Sequence, residues 1–291
     1  MSDMPPRVLV VTSTFPRWRD DTEPGFVLEL CRYLHGRGLD IDVVAPHAPG
    51  ARRYEVMDGI HVYRYRYFIT RLQTLAYAGG ILSNLRRNPL NYLLGPWLRL
   101  CQCLAVYLRL KERPYRVIHA HWIIPQGVIC ALARLAARRH DSALICTSHG
   151  GDLYALDNVV FRLIKKWTIN RCTRLCVVSR AMARQAERLE VGPDKTSVMP
   201  MGVDLEREFR PVPGIPRRAH GIIFVGRLVE KKGAGVLIEA MATVVKAVPD
   251  VELLIVGDGP LRDRLERHAA ALGIATHVQF CGAVPHARLP V

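Results

Sequence analysis

Short apolar stretches alternate with longer amphipathic stretches along most of this chain. The segment RVLVVTSTF (7–15) is β-branched and bounded by polar residues, which predicts a strand. Apolar residues then recur at helical spacing at Phe26, Val27, Leu30 and Leu34. The segment IDVVAP (41–46) predicts another strand, so the chain opens with a strand, a helix and a strand.

The same alternation continues past the middle of the chain. Strands are predicted at 116–122, 143–151 and 174–179, and helices around 126–139 and 158–172. Strands that alternate with helices indicate an α/β fold with a parallel sheet covered on both faces. Ligands of such sheets collect at the carboxyl ends of the strands.

A second α/β unit is predicted after a proline-rich stretch of little apolar periodicity, typical of an interdomain linker. Its strands are predicted at 221–226, 251–257 and 277–282, with a helix after each of the first two. A full doubly wound nucleotide-binding domain has two such halves, so this unit is expected to be incomplete. The expected division is a domain at 1–198, a linker at 199–220 and a partial domain at 221–291.

Charge and cysteine content indicate the kind of partner and the cellular compartment of this protein. The formal net charge of +15 favours anionic partners such as phosphates, nucleic acid or acidic lipid. The eight cysteines are scattered without a CxxC pair, which indicates thiols in a reducing compartment. No secretion signal or membrane-spanning apolar run is recognisable, so a cytoplasmic location is expected.

One interval has a composition of its own. Between Asp58 and Glu112 there are eight Lys or Arg residues and no acidic residue, with Tyr, Trp and Leu interleaved. Two interpretations are open: core helices with solvated arginines, or a surface that rests on an anionic membrane. The basic residues of this interval are Arg64, Arg66, Arg71, Arg86, Arg87, Arg99, Arg109 and Lys111.

The segment GRLVEKKG (226–233) follows the first predicted strand of the second unit. Arg227 lies just beyond that strand, and Lys232 precedes Gly233 at the start of the next helix. Helix N-termini carry free N–H groups and partial positive charge, so two added cations favour a phosphate site. The alternative is a pair of solvated cations neutralised by Glu230.

The segment VGDGPLRDR (256–264) follows the second predicted strand of this unit. Gly257 and Gly259 permit a tight turn and close approach of a ligand, and Asp258 could accept hydrogen bonds from a base or ribose. The segment lacks the third glycine of the dinucleotide fingerprint, which argues against NAD or FAD.

In the first unit SHGGD (148–152) lies at the end of a predicted strand. There His149 could hydrogen-bond a sugar hydroxyl, whereas the alternative makes Asp152 a helix cap and His149 a loop residue. His119 and His121 of HAHW should point the same way along a strand, but no third ligand has suitable spacing, so a metal site is not expected. The DID at 40–42 resembles a metal-binding motif, yet its place at a strand entry favours plain surface.

Eight segments, taken in order, resemble the retaining glycosyltransferases of family 4. They span nearly the whole chain and are FPRWRDDTEPGFVLEL, HAHWIIPQG, SHGGD, CVVSRAMARQ, PMGVDLEREF, GRLVEKKG, VGDGPL and FCGAVPH. The resemblance implies the GT-B fold, two Rossmann-like parallel-sheet domains facing a cleft. It also implies transfer of a hexose-type sugar from a UDP- or GDP-sugar to a lipid-linked or polysaccharide acceptor, with retained configuration, no metal and a role in envelope or exopolysaccharide biosynthesis.

The resemblance also implies roles for single residues. Arg227 and Lys232 would hold the donor diphosphate and stabilise charge on it, and His149 would contact the donor sugar; these are the expected catalytic residues. Further donor-binding positions would be Gly25, Gly226, Gly257, Asp258, Gly259 and Val284. The expected acceptor-side residues are His121 and Asp152.

Two departures from the family pattern affect the expected activity. Met201 stands where many relatives have Asn, and no two glutamates lie two helical turns apart, the spacing at which relatives hold the donor's ribose and sugar. We therefore expect a C-terminally truncated, impaired enzyme; the alternative is a non-catalytic fragment with residual nucleotide binding. Nucleic acid is not an expected partner, because the basic residues form no recognition helix or stacking sheet. The inner face of the cell membrane is a candidate location.

Overall fold

A computed structural model describes residues 5–19, 21, 23–77, 81, 84–85, 88–155, 157–206, 208–211, 214, 218–285 and 288–289. Its two compact units are Met1–Gly202 and Val203–Val291. Arg86 and Arg87 of the basic interval lie outside the described residues.

The described part of the first unit contains an eight-stranded sheet in the order β3-β4-β2-β1-β5-β6-β7-β8. Its strands are β1 (Arg7–Val11), β2 (Asp40–Pro46), β3 (Tyr54–Met57), β4 (Ile60–Tyr65), β5 (Val117–His121), β6 (Ala143–Ser148), β7 (Arg174–Val177) and β8 (Thr196–Val198). Neighbouring strands are parallel except for β3 and β4. This confirms the predicted α/β class.

Helices cover both faces of this sheet. Val8 and Val10 of β1 pack in the same core as the first helix, whereas Leu9 and Val11 pack with the remaining ones. This alternation follows from the two-residue period of a strand. The helices are α1 (Phe26–Gly36), α2 (Leu94–Glu112), α3 (Val128–Ala136), α4 (Gly151–Tyr154), α5 (Val159–Arg171) and α6 (Arg180–Glu187).

The structure adds a hairpin, β3 and β4, that the apolar pattern did not predict. Its turn is formed by Asp58 and Gly59, both with positive φ, at 52° and 82°. The dipeptide Asp-Gly strongly favours a two-residue hairpin turn, so this feature of the sequence could have predicted the hairpin.

The DID segment at 40–42 was expected to lie at the surface, and this prediction is wrong for one of its two aspartates. Asp42 is buried, and the Tyr115 hydroxyl donates a hydrogen bond to it. Asp40 pairs with Arg7 at 2.8 Å.

The second unit has the predicted order strand, helix, strand, helix, strand. Its described strands β9 (Gly221–Val225), β10 (Glu252–Val256) and β11 (Val278–Gly282) are parallel, in the order β11-β10-β9. Helices α7 (Ala234–Ala247) and α8 (Arg262–Ala271) share one core with alternate strand residues. On the opposite face Ile223 and Val225 are 64% and 53% exposed.

Candidate functional site

Three histidines gather at the carboxyl ends of β5 and β6 in the first unit. The rings of His119 and His121, on β5, stack with centroids 4.5 Å apart. His149 directly follows β6, and its ring lies 5.2 Å from that of His121, only 5° from parallel. The parallel pairing of β5 with β6 thus joins two motifs that are separate in the sequence.

The three imidazoles are linked to their surroundings by short contacts. His121 Nδ1 lies 3.0 Å from His149 Nε2, and His119 Nε2 lies 2.8 Å from Thr147 Oγ1. Burial lowers the pKa of His149 and of His119 to about 4, and lowers the pKa of His121 well below its usual value. All three are therefore neutral near pH 7, each with one donor and one acceptor nitrogen.

Two aromatic rings flank His149. The Phe26 ring lies 4.9 Å from the His149 ring, and the Trp122 ring lies 5.0 Å from it. The sequence pattern predicted Phe26 only as an apolar position of a helix. It predicted no role for Trp122, the last residue of HAHW. Gly25 is the N-cap of α1 beside Phe26, and the space where a Cβ would lie is open.

Asp152 joins the two strand ends. Its Oδ2 accepts a hydrogen bond from the Ile123 backbone N–H at 2.6 Å, and its Oδ1 accepts one from Ser148 Oγ at 2.8 Å. Burial raises the pKa of this carboxyl. Gly150 is the N-cap of α4, so Asp152 bonds outside the helix rather than capping it.

A buried lysine, not singled out from the sequence, supports the segment that carries His149. Lys165 on α5 is fully buried, and its Nζ donates to the carbonyl oxygens of Leu153 and Ala155, both at 2.8 Å. The ammonium thereby satisfies carbonyls at the end of α4. Burial lowers its pKa.

The two residues expected on the acceptor side lie beneath the surface of this edge. His121 is 0% exposed and Asp152 is 6% exposed. His121 is hydrogen-bonded to the half-buried His149, whereas Asp152 is hydrogen-bonded to the backbone of Ile123, which is itself buried.

The strand ends of the second unit are joined by their backbones. Gly226 N donates to Val256 O at 2.9 Å, and Gly257 N donates to Gly282 O at 2.8 Å. A Cβ on Gly257, where φ is 140°, would lie 2.0 Å from Gly226 O. Only glycine fits this position without displacing the neighbouring loop.

The next turn repeats this close approach. Leu228 N donates to Asp258 O at 3.0 Å, and a Cβ on Gly259 would lie 2.4 Å from Leu228 O. The Asp258 side chain is exposed, and its Oδ1 accepts from Gly259 N at 2.7 Å. Val284, half-buried, follows β11 at the same edge.

The two expected cations lie in the segment between β9 and α7, and Lys232 directly precedes the N-cap of α7. Gly233 is left-handed, with φ 75°, and is the N-cap of this helix. Lys232 is exposed and Arg227 is half-buried. Among the described residues Glu230 pairs with Arg264 at 3.1 Å. The structure thus places the residues that were expected to bind the donor in this unit on one edge of its sheet.

No group of three or more His, Cys, Asp or Glu side chains suited to a metal ion occurs within the described residues.

Two family models match the chain. The model described as Glycosyltransferase Family 4 matches residues 26–207, and the model described as Glycosyl transferases group 1 matches residues 206–291. Together they cover both units.

Among similar proteins is the phosphatidyl-myo-inositol mannosyltransferase of Mycobacterium tuberculosis, 28% identical over 90% of this chain and 62% of that protein. Another is the GDP-mannose-dependent alpha-(1-6)-phosphatidylinositol monomannoside mannosyltransferase of Mycolicibacterium smegmatis, 31% identical over 62% of this chain and 50% of that protein. The chain spans less than two thirds of the length of either relative.

A similar solved structure is that of Anabaena Alr3699/HepE in complex with UDP and glucose. The TM-score is 0.64 at 17% identity, over 96% of this chain and 69% of that one. The likeness shows the fold, which is that of the GT-B glycosyltransferases, and confirms the predicted fold class.

Proposed function

This chain belongs to glycosyltransferase family 4, and we propose that it transfers a hexose-type sugar from a nucleotide-sugar to a saccharide or lipid-linked acceptor, with retention of configuration. The first unit would handle acceptor and sugar, and the second would hold the nucleotide diphosphate.

The observation that carries this proposal is the edge of the second unit. Gly226 and Gly257 bring two backbones into contact, and α7 begins beside the exposed Lys232. A diphosphate there would meet the helix N-terminus, the ammonium of Lys232 and the guanidinium of Arg227. Arg and Lys are suited to phosphate oxygens as a planar fork and a point charge, respectively.

His149 is the proposed contact of the first unit with the sugar. Its imidazole is neutral near pH 7, because burial lowers its pKa to about 4. A neutral ring can donate to or accept from a sugar hydroxyl. Phe26 and Trp122, which also contact each other, would hold this ring in place by packing against it.

The proposed chemistry uses no metal. The bond between the sugar's anomeric carbon and the diphosphate oxygen breaks, and the diphosphate leaves with the electron pair. The acceptor oxygen forms the new bond on the same face of the sugar, and its proton passes to the departing diphosphate. Arg227 and Lys232 would stabilise the negative charge that develops on that group.

The donor is proposed to be a UDP- or GDP-hexose. One relative is named for GDP-mannose and one solved structure contains UDP, so both nucleotides are candidates. The phosphatidylinositol-type names of the relatives support an acceptor at a membrane, in envelope polysaccharide or glycolipid synthesis. The proposed location is the cytoplasmic face of that membrane.

Calorimetric titration of the chain with UDP and with GDP tests the donor site. Lys232→Ala should weaken binding about 10- to 100-fold, because it removes a charge-assisted contact to phosphate. The neighbouring Lys231→Ala is the matched control, since Lys231 is also exposed and its replacement changes the net charge by the same amount. The nucleotide affinity of this control should stay close to that of the unchanged chain. Equal binding by the two variants would exclude the diphosphate assignment.

Transfer itself is tested by incubating the chain with the nucleotide-hexose it binds and with membrane lipid extract. A radiolabelled glycolipid formed by the unchanged chain and lost in His149→Ala is the expected result. Nucleotide binding without any sugar transfer would support the donor site but contradict the proposal that this chain is an enzyme.

A further inference from the structure

Helix α2 has two apolar faces. One is the core face, which contains Leu94, Leu98, Val106 and Leu110. The other points to solvent, and its large side chains are about half to two-thirds exposed. This outer stripe consists of the N-cap residue Leu93 (71%) and of Trp97 (52%), Leu100 (60%), Leu104 (54%) and Leu108 (50%).

The spacing of the outer stripe follows one side of the helix. Steps of four and three residues keep its members within an arc of roughly 80°, and the stripe is roughly 22 Å long. Soluble monomers rarely expose a continuous apolar stripe of this kind without a use for it.

A second exposed apolar group lies at the start of α2. Leu90 and Tyr92 immediately precede the helix and are 71% and 62% exposed. Thr74 Oγ1 donates to Asn91 Oδ1 at 3.1 Å, which ties the loop after β4 to this point. That loop exposes Phe68, Ile69 and Leu72. We call the outer stripe together with these five residues the lipid face.

Exposed positive residues border the lipid face. Arg66 and Arg71 are exposed in the same loop as Ile69, and Lys111 is exposed five helical turns after Leu93, on the same side of α2. The interval from 59 to 111 contains no acidic residue.

Two other members of the basic interval are engaged inside the unit, whereas the core-helix interpretation expected solvated arginines. Arg64 is buried rather than solvated, pairs with Glu55 at 2.5 Å and donates to Pro16 O at 2.8 Å. Arg109 lies over the Tyr63 ring at 4.4 Å and pairs with Glu112. Arg66, Arg71 and Lys111 are thus the exposed cations beside the apolar side chains, while Arg99 is exposed on another side of α2.

We propose that the lipid face docks on an anionic bilayer, with its leucines and tryptophan among the acyl chains and Arg66, Arg71 and Lys111 at the headgroups. No described helix is long and apolar enough to span a bilayer, so the contact is interfacial. The inference rests on the proposed function in one respect only: it places the first unit where a lipid-linked acceptor would be.

Charge complementarity selects this occupant. The exposed cations beside the apolar stripe repel those of a second copy, whereas anionic headgroups neutralise them. Each basic residue near such a surface strengthens binding about fivefold at low salt. The attraction should weaken as salt is raised, because these charges are exposed.

Vesicle flotation tests the proposal without nucleotide. The unchanged chain should float with vesicles of phosphatidylcholine and phosphatidylglycerol in equal parts, and much less with phosphatidylcholine alone. Leu100→Ser/Leu104→Ser should weaken binding at least about tenfold, and Arg71→Gln/Lys111→Gln by a similar factor in anionic vesicles only. Val236→Ser, which alters a side chain 70% exposed in the second unit, is the control and should bind as the unchanged chain does.

Two flotation results would overturn the inference. One is a chain that stays out of the anionic vesicle fraction, and the other is a serine double variant that floats like the unchanged chain. Analytical ultracentrifugation provides a further check, since a dimer that the serine double variant dissociates would show that a second copy covers this face. The nucleotide titration uses no vesicles, so its failure and the failure of this inference are separate outcomes.

Discussion

His121 Nδ1 lies 3.0 Å from His149 Nε2, and the two rings are 5° from parallel. His121 is fully buried, whereas His149 is half-buried at the strand edge. The inner ring therefore fixes the orientation of the outer one and couples the two tautomers, as a positioning residue.

Replacing His121 should alter sugar binding and leave nucleotide binding unchanged. His121→Leu removes the partner of His149 Nε2 and should weaken affinity for the nucleotide-sugar about fivefold, with nucleoside diphosphate affinity unaltered. His121→Asn keeps a polar group near that nitrogen and should restore part of the loss. Paired titrations with nucleotide-sugar and nucleotide measure the difference. An equal loss for both ligands would indicate a merely structural role.

Acid should destabilise the first unit through its histidines. His119 and His149 are neutral when folded down to about pH 4, because burial lowers their pKa, whereas in the unfolded chain they take up protons near the usual value of 6.5. Stability is therefore complete above pH 6.5 and is lost as pH falls toward 4, by about 1.4 kcal/mol per pH unit for each histidine.

Urea unfolding followed by tryptophan fluorescence between pH 7 and pH 4 measures this slope. His119→Gln and His149→Gln should each flatten it, since glutamine does not titrate. An unchanged slope in both variants would assign the acid sensitivity to carboxylates instead.

Lys165→Met should destabilise the first unit by about 3 kcal/mol. The change leaves the carbonyls of Leu153 and Ala155 without their charged donor inside the protein. Lys166→Met is the matched control, because Lys166 is exposed and pairs with Glu190 at the surface. Its effect should stay within about 0.5 kcal/mol. Chemical denaturation gives both values, and equal losses would contradict the structural role of Lys165.

Gly257→Ala should destabilise the second unit by about 2 kcal/mol or more, because its Cβ would lie 2.0 Å from Gly226 O. Gly235→Ala in α7 is the control, since its Cβ would lie 3.7 Å from Leu265 Cδ2, an ordinary contact. Alanine favours a helix, so this variant should be neutral or up to about 1 kcal/mol more stable. Thermal unfolding measures both variants. A lower melting temperature for Gly235→Ala than for Gly257→Ala would contradict the close backbone contact.

The sequence predicted most strands and helices because their apolar periods are clear. Helix α2 was not placed, since leucines on both of its faces remove the contrast that reveals a helix. The membrane interpretation of the same interval was open for a related reason: the pattern shows apolar residues but not which of them face solvent.

The candidate sites at the two sheet edges differ in how much of each could be predicted from the sequence alone. Glycines and cations of the second unit are close together in the chain, so their motif could be recognised locally. The pairing of His121 with His149 depends on the register of β5 with β6, which no local pattern specifies. Lys165 was missed because a lysine in a helix is usually solvated, and only tertiary packing shows that this one is buried.

A side chain at Gly257 would displace the backbone of Gly226, so glycine fixes the geometry of this edge. The proposed contacts with the diphosphate are few and lie in one short loop, at Arg227 and Lys232. Preference for one sugar or base would depend on other positions, which could change without disturbing either the glycine contact or these two cations. Such an arrangement would allow new donor specificities to arise while the means of holding the diphosphate is inherited unchanged.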